Sequence, residues 1–403
     1  RRPPRSTHCI SSAASDVYKR QAGMFVHEQV KALVAKGVEI QVVSPVPWTP
    51  FPINYLSSKW KKYSAVPEKA VYEGINIWYP RYLTFPRAWL FASSGQRMYL
   101  GIKDVVLKIY KEFQFDLIHA NVALPDGYAG MKIAIKYKKP LIVTIHGQDL
   151  YVTINKNRSC KTALFDVFKK ADRVILVSKK LKEISDNNVG FTNKTVVIGN
   201  GVSVNDILKA ENIMLNRNFL GYKTILSASY LITRKGIDFN FKAIAQLINK
   251  YPNLKYLIIG DGPEMRHLKE LSSNLGINEH VEFLGQLSHE KVLVYMAKAN
   301  IFSLPSWDEA FGVVYVEAMA QGKPVIGCKG EGIEGFVEHG KTGMLVKPKD
   351  VDSLVKAIDY LLSHPDEAKA MGERARKLVL EKYTWEKNAE KTIEVYKEIL
   401  NNV

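Results

Sequence analysis

The sequence predicts an α/β protein built from two doubly wound domains, each a mostly parallel sheet covered by helices. Three observations carry that expectation. Short apolar runs such as PLIVTIHG, RVILVS, LKYLIIGDG and KPVIGC alternate with segments of helical periodicity such as GYAGMKIAIKYKK and DFNFKAIAQLINKY, which is the pattern of βα units. The alternation lapses into polar sequence around residues 203–222 and then restarts. The chain is 403 residues long with 46% apolar residues, enough for two packed cores.

Residues 1–21, RRPPRSTHCISSAASDVYKRQ, are set aside first. They have no apolar core long enough for a signal peptide, and the closing DVYKRQ resembles a translated library-adapter sequence, so the segment reads as a non-native scar. The chain then opens at Ala22 directly with an amphipathic helix, FVHEQVKALVAKG, where a doubly wound domain normally opens with a buried strand and a glycine-rich turn. The first strand of the amino-terminal domain is therefore expected to be missing. EIQVVSP, DLIHAN, PLIVTIHG, RVILVS and TVVIGNG supply the further strands of a domain over residues 22–205, and residues 206–221 read as a linker. KTILSAS, LKYLIIGDG, VEFLG, IFSLPS, KPVIGC and GMLVKP supply the strands of a second domain over residues 222–384, followed by a terminal helix over 385–403.

Composition excludes several classes. Three cysteines without a CxxC argue for a reducing compartment and against a thiolate zinc site, and no apolar run reaches the length of a membrane span. The net charge of +17, about +13 without residues 1–21, asks for an anionic partner: phosphorylated substrate, acidic lipid or nucleic acid. No basic helix or aromatic stacking motif of the usual nucleic-acid binders is present, so no nucleic-acid partner is expected. Two stretches break the βα alternation, PWTPFPINYLSSKWKKYSAV (residues 47–66) and IWYPRYLTFPRAWLF (residues 77–91). Their aromatic rings among lysines and arginines suit either a lipid headgroup interface or a surface insertion packed on its own domain.

The densest chemistry lies in PSWDEAFGVVYVEAMAQGKPVIGC (residues 305–328). A strand ends near Pro305, a loop carries Glu309, and Phe311, Gly312 and Val313 open a helix bearing Glu317. Free N–H groups at a helix start hold phosphate, and Gly312 allows close backbone approach. Carboxylates at 309 and 317 accept hydrogen bonds from sugar hydroxyls. Gly260 and Gly262, in GDG after a strand, form a tight turn suited to approach a nucleotide. His146 in VTIHGQD and His119 in DLIHAN stand at the carboxyl ends of parallel strands, where open α/β sheets bind ligands.

Other signals lead elsewhere. GFVEHGKT (residues 335–342) fits the P-loop expression, but it runs into the strand-like MLVKP where a P-loop needs a helix. Asp350 and Asp352 precede a helical segment and read as helix capping, and HEQVK lacks the second histidine of a zinc helix. No metal and no cofactor are expected.

Glu309 and Glu317 in EAFGVVYVEAMAQGKPVI match the E-x7-E signature of the retaining GT-B glycosyltransferases of family 4. VTIHGQD, VILVSKKL, VIGNGV, RKG, IIGDGPE and KGEGIEGFVEHGKTGMLV follow in the family's order, so the resemblance covers nearly all of residues 22–403. FVHEQVKALVAKGVEIQVVSPVPWTPFP and the segment around WKKYSAVPEKAVYEGINIWYPRY are similar to teichuronic-acid biosynthesis glycosyltransferases. The resemblance implies a GT-B fold, two Rossmann-like domains facing across a cleft, with the terminal helix from about Trp385 crossing back to the first. It implies that Glu317 binds the nucleotide ribose, Glu309 the donor sugar, Lys235 the diphosphate and His146 the sugar near the reacting carbon. An ammonium at Lys235 also neutralises charge growing on a departing diphosphate. Gly23 and His119 fall on the acceptor side.

Two departures stand out. Where many members carry an Arg five residues before the Lys, this chain has Tyr230, leaving Arg234 as the candidate second diphosphate ligand. Gly23 is the remnant of the amino-terminal glycine loop. The implied reaction transfers a hexose-type unit from a nucleoside diphosphate sugar to an acceptor hydroxyl with retention, in cell-surface polysaccharide or glycolipid synthesis. The expected location is cytoplasmic, peripheral on the inner face of the membrane. A GT-B epimerase, a phosphorylase and an inactive fragment are the alternatives.

Overall fold

The computed structural model describes residues 5–10, 24–85, 88–213 and 221–401. The chain divides into two compact units, Arg1–Gly199 together with Trp385–Val403, and Asn200–Thr384.

In the first unit the main sheet runs, from one side, Thr195–Val197, Arg173–Leu176, Leu141–Ile145, Leu117–Asn121, Arg5–Ile10, Val42–Val43, Ile75–Trp78 and Lys69–Tyr72. All neighbours pair in parallel except the last two, which form an antiparallel hairpin. Leu117–Asn121 and Leu141–Ile145 are buried at every position, the signature of strands covered on both faces.

The place expected to lack a strand is occupied. Arg5–Ile10, within the segment set aside as a scar, lies parallel between Leu117–Asn121 and Val42–Val43 and also pairs with Glu39–Ile40. An empty central slot would strand the backbone donors and acceptors of both neighbours, so a six-residue extended segment is favoured there. EIQVVSP is not one strand either. It breaks into Glu39–Ile40 and Val42–Val43, and Val46–Pro47, just beyond it, leaves the main sheet to pair with Arg81–Tyr82.

The sequence reading also lacked helix Ser94–Phe113. Gly101 at its middle weakens the helical signal, yet a Cβ there would meet the Arg81 carbonyl oxygen at 2.4 Å, so the glycine is what lets this helix lie on Arg81–Tyr82.

Helix Trp385–Asn401 belongs to the first unit. It buries Trp385, Ala389, Val395, Tyr396 and Ile399 in the same core as Val26, Val30 and Leu33 of helix Met24–Ala35. Buried Gln29 donates to Asn388 Oδ1 at 2.9 Å, and the Tyr396 hydroxyl lies 2.7 Å from His119 Nδ1, whose Nε2 is 2.6 Å from Thr144 Oγ1. Tyr396→Phe removes that hydroxyl from a fully buried imidazole. The expected cost is about 1–3 kcal/mol, read as a lower urea midpoint at unchanged slope.

The second unit holds one six-stranded, all-parallel sheet in the order Val281–Gly285, Leu254–Ile259, Lys223–Ala228, Ile301–Ser303, Val325–Cys328, Met344–Val346. The strand sequence runs outward one way from Lys223–Ala228 and the other way from Ile301–Ser303, so the order reverses between these two. The segment read as a linker contains helix Val204–Asn212, which Ser203 caps through Asp206 N–H and which buries Ile207 and Ala210 within this unit. With only two buried positions its periodicity was too weak to read. Thr342 leads into strand Met344–Val346 and not into a helix, while Asp350 Oδ1 accepts Ser353 N–H at 2.9 Å as the cap of helix Val351–Ser363.

Candidate functional site

Open α/β sheets bind ligands beyond the carboxyl ends of their strands, where the strand order reverses. In the second unit that point is the pair Lys223–Ala228 and Ile301–Ser303. The chain leaving the first of these reaches the short turn Thr233–Lys235, and the chain leaving the second reaches Glu309 and helix Val313–Ala320. Gly236 (φ +67°) joins the two: a Cβ there would lie 2.4 Å from the Pro305 carbonyl oxygen.

At that junction Lys235 Nζ lies 2.5 Å from Glu309 Oε2, which also accepts from Ser306 Oγ at 3.1 Å. The loop carrying Glu309 is fixed by a reciprocal pair: Glu309 N–H donates to Glu331 Oε2 at 2.8 Å, and Gly332 N–H donates to Glu309 O at 3.0 Å. Gly332 sits where a Cβ would meet the Ala310 carbonyl oxygen at 2.4 Å. Glu331 is buried and therefore acts through Glu309. The motif KGEGIEGFVEHGKTGMLV contained it without indicating its role.

Arg234 turns to the same loop. Its Nη1 donates to Asp308 O at 2.9 Å, and Trp307 N–H donates back to Arg234 O at 3.0 Å. Arg234 and Lys235 thus converge on residues 307–309, while Tyr230, in the place of the family arginine, is exposed.

Helix Val313–Ala320 starts at Gly312 (φ +83°) with no side-chain cap on its first N–H groups, which suits an anion. Phe311 does not offer its ring, which is buried against Phe336 at 5.1 Å and Tyr383 at 6.2 Å. Glu317 lies one turn on, its Oε1 2.7 Å from His289 Nε2. No local pattern marks His289, which is the first residue of helix His289–Lys298 and reaches Glu317 only through the fold. Gly260 N–H donates to Gly285 O, and the Gly260–Gly262 turn lies against Ser229–Leu231 so closely that a Cβ at either glycine would clash with a carbonyl oxygen there.

In the first unit His146 follows strand Leu141–Ile145, its Nε2 2.9 Å from Asn121 Oδ1 and its ring 4.6 Å from that of Phe25. Burial pushes the imidazole down to about 4, so it is neutral near pH 7. With Nε2–H donated to Asn121, Nδ1 keeps its lone pair, and no partner takes it up among the described residues. His119 is different. It is fully enclosed, with Tyr396 and Thr144 on its two ring nitrogens, which corrects its placement on the acceptor side: it ties the last helix to the sheet. Gly23 lies outside the described residues.

Asp149, three residues after His146, is buried. Its Oδ1 accepts N–H groups of Ala123 at 3.0 Å and Leu124 at 3.3 Å, next to Val122 with φ +66°. Burial pushes its carboxyl up to about 6 against the opposing pull of those donors. A raised carboxyl contributes stability below its unfolded value, near pH 4, and loses it as pH rises through 6. Asp149→Asn keeps an acceptor oxygen and does not titrate, so the difference in unfolding free energy should move in the variant's favour by about 2–3 kcal/mol between pH 4 and 7. Urea melts across that range check the sign.

Residues 22–206 match the glycosyltransferase family 4 description and residues 209–378 match glycosyl transferases group 1. A Bacillus subtilis glycosyltransferase named for teichuronic acid biosynthesis is 29% identical over 360 residues, 87% of each chain. An uncharacterized glycosyltransferase of Methanocaldococcus jannaschii is 31% identical over 290 residues, 70% of this chain and 76% of its own. Sucrose-phosphate synthase from Thermosynechococcus elongatus superposes with a TM-score of 0.81 at 23% identity over 100% of both chains, a likeness of fold. The chain belongs to the group 1 glycosyltransferases of family 4 and has their GT-B fold.

Proposed function

We propose that this glycosyltransferase is a retaining enzyme that moves a hexose-type unit from a nucleoside diphosphate sugar, held by the second unit, to an acceptor hydroxyl in cell-surface polysaccharide or glycolipid synthesis. The observation that carries the reading is the meeting of Lys235, Glu309 and the uncapped start of helix Val313–Ala320 at the strand-order reversal. A diphosphate entering there exchanges the Glu309 carboxylate for its own charge on Lys235 and takes the free N–H groups at the helix start. Glu309, released, accepts sugar hydroxyls, while Glu317 keeps one oxygen on His289 and has the other for the ribose.

In the proposed step the bond between the anomeric carbon and the diphosphate oxygen breaks and the acceptor oxygen bonds to the same face of that carbon. The departing diphosphate takes the acceptor's proton, so no protein base is assigned. Lys235 and the helix dipole stabilise the negative charge that grows on the leaving group, and the rest is positioning. His146 offers a neutral acceptor, its Nδ1, to a sugar hydroxyl.

The reading needs no metal, and turnover is expected to be unchanged by a chelator. No helix among the described residues is long and apolar enough to cross a membrane, and we assign the enzyme to the cytoplasmic side, peripheral to the membrane. A donor panel of UDP and GDP sugars, followed by nucleoside diphosphate release with and without a membrane lipid extract, tests the function. Proton NMR of the glycoside then reads the anomeric configuration. Acceptor-dependent release with a retained anomer is expected; an inverted product contradicts the retaining mechanism, and release of an altered free sugar contradicts transfer.

A further inference from the structure

The first unit carries an apolar surface that its own core leaves uncovered. Trp48, Phe51, Leu56 and Trp89 are 54%, 79%, 74% and 66% exposed, and Tyr55, Leu83 and Leu90 are exposed beside them. Single exposed apolar residues are ordinary, but several large ones in two neighbouring segments are not.

The two segments are joined. Val46–Pro47 pairs with Arg81–Tyr82, and Trp48 N–H donates to Tyr82 O at 2.8 Å, setting Trp48 beside Leu83. Thr49 Oγ1 donates to Trp60 O at 3.3 Å, fastening the first segment to helix Ser58–Ser64, and the Phe51 and Tyr55 rings meet edge to face at 6.0 Å. On the other side Arg97 donates to Leu83 O and Leu90 O, stands over the Phe85 ring at 4.8 Å, and Phe85 in turn meets Trp89 at 5.4 Å. These bonds hold the apolar rings outward on a fixed frame.

Within these segments the charge has one sign, the nearest acid in sequence being Glu68. Residues 40–67 and 74–103 contain seven Lys or Arg and no Asp or Glu. Helix Ser58–Ser64 has none of its residues buried and carries Lys59, Lys61 and Lys62. A protein partner of mixed charge has no reason to select such a field. Exposed indole and phenyl rings with lysines in the same segment match the boundary of an anionic bilayer, where rings enter the headgroup layer and cations meet phosphate.

We propose that residues 48–62, 83–85 and 88–90 form a membrane-docking surface for an anionic lipid bilayer. This deepens the peripheral placement given above and rests on it, but it does not depend on the transfer chemistry.

Flotation of the full chain with vesicles tests it. Binding to mixed phosphatidylcholine and phosphatidylglycerol vesicles, weak binding to phosphatidylcholine alone, and loss of binding as salt rises are expected. Each lysine near such a surface is worth roughly fivefold in partition. Lys59→Glu, Lys61→Glu and Lys62→Glu together should therefore lower it by about a hundredfold or more. Trp48→Ser, Phe51→Ser, Leu56→Ser and Trp89→Ser together should abolish flotation while nucleoside diphosphate release with a soluble acceptor and the melting temperature stay as in the parent. An unaltered partition in both variants, or no binding by the parent at low salt, overturns the proposal. Concentration-dependent self-association lost in the serine variant, without vesicle binding, assigns the surface to a second copy of the chain. Vesicle binding without release from any donor leaves the surface standing and removes the proposed reaction instead.

Discussion

Lys235→Ala is expected to lower kcat by about a hundred- to a thousandfold, with a smaller change in KM for the donor. Lys235 closes the turn Thr233–Lys235 and its ammonium is 2.5 Å from Glu309, both side chains 15% exposed. In the proposed reaction, removing it takes the positive charge from the place where the leaving diphosphate becomes more negative, so the loss falls on the transition state more than on the bound donor. It also leaves the Glu309 carboxylate with Ser306 and without its cation. Lys235→Arg should recover only part of the activity, because a planar guanidinium does not reproduce a compact ammonium in a site shaped for it. Steady-state kinetics on the donor that turns over checks this. A raised KM at unchanged kcat would reduce Lys235 to a ground-state binding residue.

Gly260→Ala should be the most damaging single change outside the charged groups. Gly260 has φ +134°, outside the range of L side chains, and a Cβ there would lie 1.8 Å from the Ser229 carbonyl oxygen. The contact is backbone against backbone, so the strand end Leu254–Ile259 or the Ser229–Leu231 segment must move. A loss of about 3–5 kcal/mol is expected, which lowers the melting temperature of a unit this size by roughly 10 °C. Gly335→Ala is the matched control: its Cβ would meet nothing within 4 Å, and its effect should stay within about 0.5 kcal/mol. Calorimetry of both variants separates a turn that the fold requires from one that serves only the nucleotide.

These residues show what local pattern conveys and what it does not. Buried parallel strands such as Leu141–Ile145 and Leu254–Ile259 were legible because unbroken apolar runs between helical segments have few other readings. Glu309, Glu317 and the start of helix Val313–Ala320 share one short motif in which a strand, a loop and a helix start follow one another, whereas Lys235 lies 74 residues before Glu309 and was singled out by the resemblance to the family. Helix Val204–Asn212 was not, since only Ile207 and Ala210 are buried in it, and helix Ser94–Phe113 was interrupted on paper by a glycine that the fold uses for close packing.

Partners far apart in sequence were beyond local pattern altogether. His289 on Glu317, Glu331 on Glu309, and Tyr396 on His119 are contacts made by topology, and the last turned a candidate ligand-binding histidine into a structural one. Arg5–Ile10 marks a different limit. A composition foreign to the rest of the chain says nothing about whether its backbone can fill a place in a sheet.

The central claim is that the strand-order reversal of the second unit holds the donor's nucleoside diphosphate, and calorimetric titration of UDP and GDP into the parent, Glu317→Ala and Lys235→Ala tests it most directly. The account predicts that one nucleotide binds the parent and that each variant weakens it by about tenfold or more. Inorganic diphosphate should weaken only in Lys235→Ala, because Glu317 is assigned to the ribose. Equal nucleotide affinity in all three proteins, or no binding to the parent, would contradict it and move the donor site away from Lys235, Glu309 and the start of helix Val313–Ala320.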